Sequence, residues 1–152
     1  PDISLTWGVG YQTYTAWDGR GNVAQTDFNL ATDIDLVFTP TANFAVQLDS
    51  FELDMWNGGG DTSVSWSIFD PQGTLASGTW LKANPGGRDQ VLTGITANDV
   101  TLGEAVTLRL NLNSGLTSYL ALDNLTFQQV PEPSAIALGL LGLGALALRR
   151  RR

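Results

Sequence analysis

The chain has 152 residues, about one domain's worth, with 43% hydrophobic residues, 15% charged residues and a net charge of −7. It contains no cysteine and no histidine, which excludes a disulfide framework, thiolate or imidazole zinc sites, Cys nucleophiles and every catalytic triad built on a His base. The acidic balance argues against nucleic acid as a partner, because phosphate binding needs clustered Lys and Arg.

Near the start, Trp7, Tyr11, Tyr14 and Trp17 fall at helical spacing. Gly8, Gly10, Thr13 and Thr15 between them make a helix a poor reading. Alternation dominates the chain from residue 33 onward. Ile34, Leu36 and Phe38 alternate with Asp33, Asp35 and Val37, and Phe44, Val46 and Leu48 alternate with Ala45, Gln47 and Asp49. The phase then slips by one residue, and Phe51, Leu53 and Met55 continue it, which predicts a bulge or tight turn near Asp49-Ser50. Val64, Trp66 and Ile68 alternate with serines, the pattern of a half-buried strand. Asp70-Pro71-Gln72-Gly73 has the residues of a type I turn and predicts a hairpin between strands at 62–69 and 74–81. Val106, Leu108, Leu110 and Leu112 alternate with Thr107, Arg109 and Asn111. A last strand is predicted from Tyr119 to Phe127, with a second phase slip at Asp123-Asn124.

These segments make roughly seven or eight strands, and no body segment has helical periodicity. The expected architecture is all-β: an antiparallel, jelly-roll-like β-sandwich over residues 1–129. The run Tyr119 to Phe127, with its Asp-Asn pair, resembles the final strand of galactose-binding-like jelly rolls.

Composition shifts at Val130-Pro131. The tail reads Pro131-Glu132-Pro133-Ser134, then 14 apolar residues from Ala135 to Leu148, then Arg149, Arg150, Arg151 and Arg152. As a helix the apolar run would be about 21 Å long, against a hydrocarbon core of roughly 30 Å. It is apolar all round and ends in a basic cluster that can snorkel into headgroups and hold that end in the cytoplasm. The expectation is one short hydrophobic helix of transmembrane type. With the tail set aside, residues 1–130 hold 4 basic against 14 acidic residues. The positive-inside rule places this acidic body outside the cell.

In order and spacing, Pro-Glu-Pro, a short Leu/Ala/Gly run and a terminal Arg cluster over residues 130–152 resemble the PEP-CTERM sorting signal. The resemblance implies an exported precursor of a Gram-negative-type bacterium. Its C-terminal helix would hold it in the inner membrane, and an exosortase, a membrane transpeptidase-like enzyme, would process it. The product would belong to the cell envelope, the surface or the extracellular matrix. Pro131, Glu132 and Pro133 would be the enzyme's recognition motif and Arg149–Arg152 the cytoplasmic anchor. Physically, the two prolines impose an extended segment just outside the bilayer. An exported chain should begin with a signal peptide. Because this one begins Pro1-Asp2-Ile3, an N-terminal piece is expected to precede it.

Two binding chemistries suit the body. Calcium wants carboxylate and carbonyl oxygens and needs neither His nor Cys. Asp123 is the leading candidate, because a carboxylate within an apolar strand must be paired, metal-bound or turned outward by a bulge. The jelly-roll resemblance also implies a structural calcium touching the last strand. Asp18 and Asp27, flanking a Gly-rich loop, are further candidates, although no DxDxDG loop is present. The plainer alternative is that Asp123 caps a turn.

Carbohydrate is the second chemistry. Trp17 beside Asp18-Gly19-Arg20-Gly21-Asn22, and Trp56 beside Asn57-Gly58-Gly59-Gly60-Asp61, offer aromatic faces at loops where backbone can approach a ligand. Nothing singles out a catalytic carboxylate pair, so the chain reads as a non-enzyme, with a glycosidase-like reading as a minor alternative. The expected role is a structural matrix or exopolysaccharide-associated module, the alternative a calcium-dependent, lectin-like one. Deleting Arg149–Arg152 is expected to leave the precursor poorly retained and unprocessed, as scored by membrane fractionation and the size of the product.

Overall fold

The computed structural model describes residues 3–8, 11–15, 23–26, 33–57, 62–82, 97–98, 101–112 and 118–131. Ten strands occur among them: β1 (Ser4–Trp7), β2 (Tyr11–Tyr14), β3 (Val23–Thr26), β4 (Asp33–Thr39), β5 (Phe44–Asn57), β6 (Thr62–Asp70), β7 (Gly73–Lys82), β8 (Ala97–Asn98), β9 (Val106–Leu112) and β10 (Ser118–Pro131). They form two five-stranded sheets, in the orders β1-β4-β9-β6-β7 and β2-β3-β10-β5-β8. Every pairing is antiparallel. Only β2–β3 and β6–β7 are successive strands of one sheet, and every other connection crosses between sheets, the wiring of a jelly-roll-like sandwich. The described residues are all β. Among them no helix is long and apolar enough to cross a membrane, and the apolar run at 135–148 lies outside them.

The alternation read from the sequence is what the sheets bury. Ile34, Leu36 and Phe38 of β4, Val64 and Ile68 of β6, and Val106, Leu108 and Leu110 of β9 face Val46, Leu48, Phe51 and Leu53 of β5 and Leu120 and Leu122 of β10 in one core. Full burial of each such side chain contributes about 1.5–3 kcal/mol. Two edge-to-face aromatic pairs tie the sheets together. Phe38 meets Phe127 at 5.1 Å between centroids, and Phe51 meets Trp66 at 6.3 Å. Trp66 lies opposite Gly78 in the β6–β7 register. A Cβ on Gly78 would stand 2.6 Å from Trp66 Cζ2, so the indole needs that position bare.

Both phase slips are bulges, and they compensate. Asp123 pairs with Glu52, Thr126 with Ser50, and Phe127 with Leu48. One extra residue in β10 is followed by one extra in β5, and the register returns to its original offset. Each bulge flips the alternation of its own strand, so Phe51 and Leu53 stay inward on one side and Val46 and Leu48 on the other. Asn124 takes the left-handed conformation that the β10 bulge demands, with φ 46°, which Asn tolerates better than most residues.

The Asp70–Gly73 turn forms as predicted. Asp70 Oδ1 accepts hydrogen bonds from the amides of Gln72 at 2.8 Å and Gly73 at 2.7 Å. The six segments named from the sequence are all present as strands, but the described residues hold ten strands rather than the seven or eight expected. β1, β2, β3 and β8 are additional, each four residues or fewer and so too short for alternation to stand out. Phe51→Ala would remove a fully buried ring and the partner of Trp66. It is expected to cost about 3–5 kcal/mol in urea unfolding, with unchanged β content by circular dichroism.

Candidate functional site

The edge strand β1 opens the sandwich on one flank. Leu5 and Trp7 stand opposite Phe38 and Leu36, both fully buried, so β1 points the same alternate residues toward the core. Leu5 packs against the core, whereas Trp7 stays 42% exposed, a large exposed hydrophobic. Beyond it lies an open cleft of about 610 Å³, bordered by Trp7, Thr13, Asp123 and Asn124 over an apolar floor that includes Leu122 and Phe127. An aromatic rim, an apolar floor and a few hydroxyl, amide and carboxylate groups make a surface that can stack on a flat apolar face and hydrogen-bond around its edge.

Asp123 borders this cleft. Asp123 Oδ1 accepts a 2.8 Å hydrogen bond from the Asn124 amide, so the carboxylate, already outward by its alternation with Leu122, caps the bulge that follows it. Among the described residues no group of three or more His, Cys, Asp or Glu side chains could hold a metal ion. Asp18, Asp27 and Trp17, like Glu132, Pro133 and Arg149–Arg152, lie outside the described residues. Trp56 lies in β5, with its backbone in register with Tyr119. Pro131 is the last residue of β10.

A smaller trough of about 380 Å³ runs over the outer face of the first sheet, lined by Ser65, Ser67, Ser77, Thr79, Asp33, Arg109 and Asn111 among others. Its cation is already engaged. Arg109 donates from Nε and an Nη to the two oxygens of Asp35, both at 2.7 Å. Asp33 lies 3.9 Å away, and the guanidinium sits 5.2 Å over the Phe69 ring. Asn111 Nδ2 donates to Asp33. The hydrogen bond to Asp35 raises the Arg109 pKa above its ordinary value. Partial burial opposes that rise, and the charges of Asp35 and Asp33 add to it. A pair this exposed adds little to stability, and the trough presents mainly hydroxyls. On the outer face of the second sheet, Asp54, Ala121 and Gln25 lie side by side across β5, β10 and β3, and all three are buried.

Trp7, Thr13 and Asn124 were missed as site residues by sequence reasoning. The signal for Trp7 was present as the alternation of Ile3, Leu5 and Trp7 with Ser4, Thr6 and Gly8. It was obscured by the helical spacing that Trp7 shares with Tyr11, Tyr14 and Trp17.

Residues 129–152 match the family model of the PEP-CTERM protein-sorting motif. The motif implies processing by an exosortase and an exported, membrane-anchored precursor in a Gram-negative-type bacterium. No curated protein matches the chain. Among solved structures, the chain is similar to an arabinose-bound α-L-arabinofuranosidase, MgGH51, at 7% identity and TM-score 0.48, over 82% of this chain and 23% of that one. It thus spans less than a quarter of that enzyme. It is also similar to the CBM22-1 xylan-binding domain of Paenibacillus barcinonensis Xyn10C, at 14% identity and TM-score 0.49, over 84% and 86% of the two chains. A third similarity is to CBM28, a carbohydrate-binding module specific for non-crystalline cellulose, at 14% identity and TM-score 0.46, over 82% and 86%. These likenesses concern the fold, and neither ligand nor activity is carried over from them.

Asp123→Ala is expected to lose the bulge cap and about 1 kcal/mol of stability. The loss should appear in thermal unfolding with EDTA present, where no bound cation contributes.

Proposed function

We propose that this chain is a non-enzymatic, exported envelope or matrix protein. Its tail is the substrate signal of an exosortase, and its β-sandwich body associates with the cell's exopolysaccharide. The observation that carries the reading is the sorting-motif match over residues 129–152. The charge distribution supports it: the Arg cluster suits the cytoplasmic side of a membrane, and the body's ten excess negative charges favour solubility over adhesion to an anionic bilayer.

The Trp7 cleft favours carbohydrate binding as the body's contribution. A pyranose ring presents an apolar face to the indole and hydroxyls to Thr13, Asp123 and Asn124. Calcium, if it takes part, would act through Asp123, as the sequence suggested. Asp18 and Asp27 remain candidates for calcium, and Trp17 and Trp56 for carbohydrate.

The test is co-sedimentation of the tail-free body, residues 1–131, with the producer's own exopolysaccharide, first with calcium and then with EDTA. Saturable binding is expected, weakened at least about tenfold, or 1.4 kcal/mol, by Trp7→Ala. Loss of binding in EDTA would make the module calcium-dependent. Folded body that stays in the supernatant in both conditions would overturn the glycan reading and leave a structural matrix role.

A further inference from the structure

The sorting-motif match begins at residue 129, while β10 runs to Pro131. The signal therefore starts inside the folded sheet. Gln128, Gln129, Val130 and Pro131 pair with Gln47, Val46, Ala45 and Phe44 of β5. Only Glu132, Pro133 and Ser134 separate this strand from the apolar run. Fully extended, three residues span about 10 Å. The polar headgroup layer of one leaflet takes up roughly 5–8 Å of that, so a fully paired body has almost no slack above the bilayer. An enzyme that reads Pro-Glu-Pro as an extended peptide needs backbone on both sides of the motif, and on the N-terminal side β5 already holds it.

The end of β10 is built to let go. Pro131 has no N–H to give a ladder. Its pairing with Phe44 is therefore a non-hydrogen-bonded one, and the backbone groups of Phe44 point away from β10, the amide to Thr41 O at 3.1 Å and the carbonyl to the Gly103 amide at 2.9 Å. The side-chain tethers at this end are the Thr41 amide donating to Gln129 Oε1 at 2.9 Å and the exposed Gln128 Nε2 donating to Asp49 Oδ2 at 3.3 Å. Gln129 Nε2 is buried with no hydrogen-bond partner, a state that opening would relieve by hydration. Further in, the strand is held by the buried Leu48 on β5 and by the partly buried Phe127 on β10, which packs against the core. The natural stop for unpairing is therefore Phe127.

We propose that residues Gln128–Pro131 form a latch that must peel from β5 before the exosortase can engage the motif, so that the open population of this strand end sets the rate of processing. Peeling four residues releases about 13 Å of extended chain. The rest of the sandwich need not unfold. This inference rests on the sorting reading above, and its test separates the two.

The full-length precursor is followed by pulse-chase in a bacterium that carries an exosortase and processes another substrate of this motif. Val46→Cys with Gln129→Cys places two thiols at directly opposite positions, within disulfide reach for an antiparallel pair. The natural chain has no cysteine to compete. The oxidised staple is expected to slow processing at least about tenfold, and reduction to restore it, since cleavage of a locally opened segment follows the open population. A four-residue Gly-Ser insertion between Val130 and Pro131 should restore processing in the stapled chain and accelerate it in the parent.

A stapled, folded precursor processed at the parental rate overturns the latch while leaving the sorting reading intact. So does a stapled chain that the insertion fails to rescue. A parent chain that is never processed, or one processed equally well with Glu132→Ala and the arginines deleted, overturns the sorting reading itself and the latch with it.

Discussion

The pairing of β5 with β10 is the constraint on which the rest of the molecule depends. These are the two longest strands, each of 14 residues, and they lie together within the second sheet. Their inward residues supply one wall of the core, and the edge-to-face ring contacts of Phe51 and Phe127 join that wall to the first sheet. A single uncompensated bulge would leave the register one residue out along half of the pair. The second bulge restores it, so apolar side chains face the same core on both sides of the irregularity.

That irregularity is also where binding chemistry reaches the surface. Asp123 would be costly in a regular apolar strand. It alternates outward from Leu122, its own Oδ1 caps the following bulge at the Asn124 amide, and both residues arrive beside Trp7 at the open flank. One feature of one strand thus does two things, closing the core and furnishing the polar side of a cleft. The polar trough on the other sheet differs in kind. Its Arg109 is bound to Asp35 through two hydrogen bonds, so it offers a ligand hydroxyls rather than an available charge.

The same strand then delivers the sorting signal. Because β10 continues into Pro131, the body and its signal share backbone with no intervening linker. A folded domain and a processing enzyme then compete for the same few residues.

Much of this was legible in the amino-acid sequence. Period-two alternation marked five of the six long segments, because each turns its larger apolar residues to one face, and the sixth followed from the Asp-Pro-Gln-Gly turn, which was marked by its own local chemistry. The two phase slips announced the bulges, and the composition break at Val130-Pro131 announced the tail, since a sorting signal is read by another machine as linear sequence. Tertiary structure alone decided how these parts meet. The two slips are one compensated defect because β5 and β10 lie side by side, and no local pattern encodes which strands become neighbours. Trp7 becomes a rim residue because β1 lies at a sheet edge, where one flank lacks a neighbouring strand. Asp123 and Trp7 share a cleft although 115 positions separate them in the chain, because strands that cross between sheets bring distant residues together through packing that the sequence specifies only collectively.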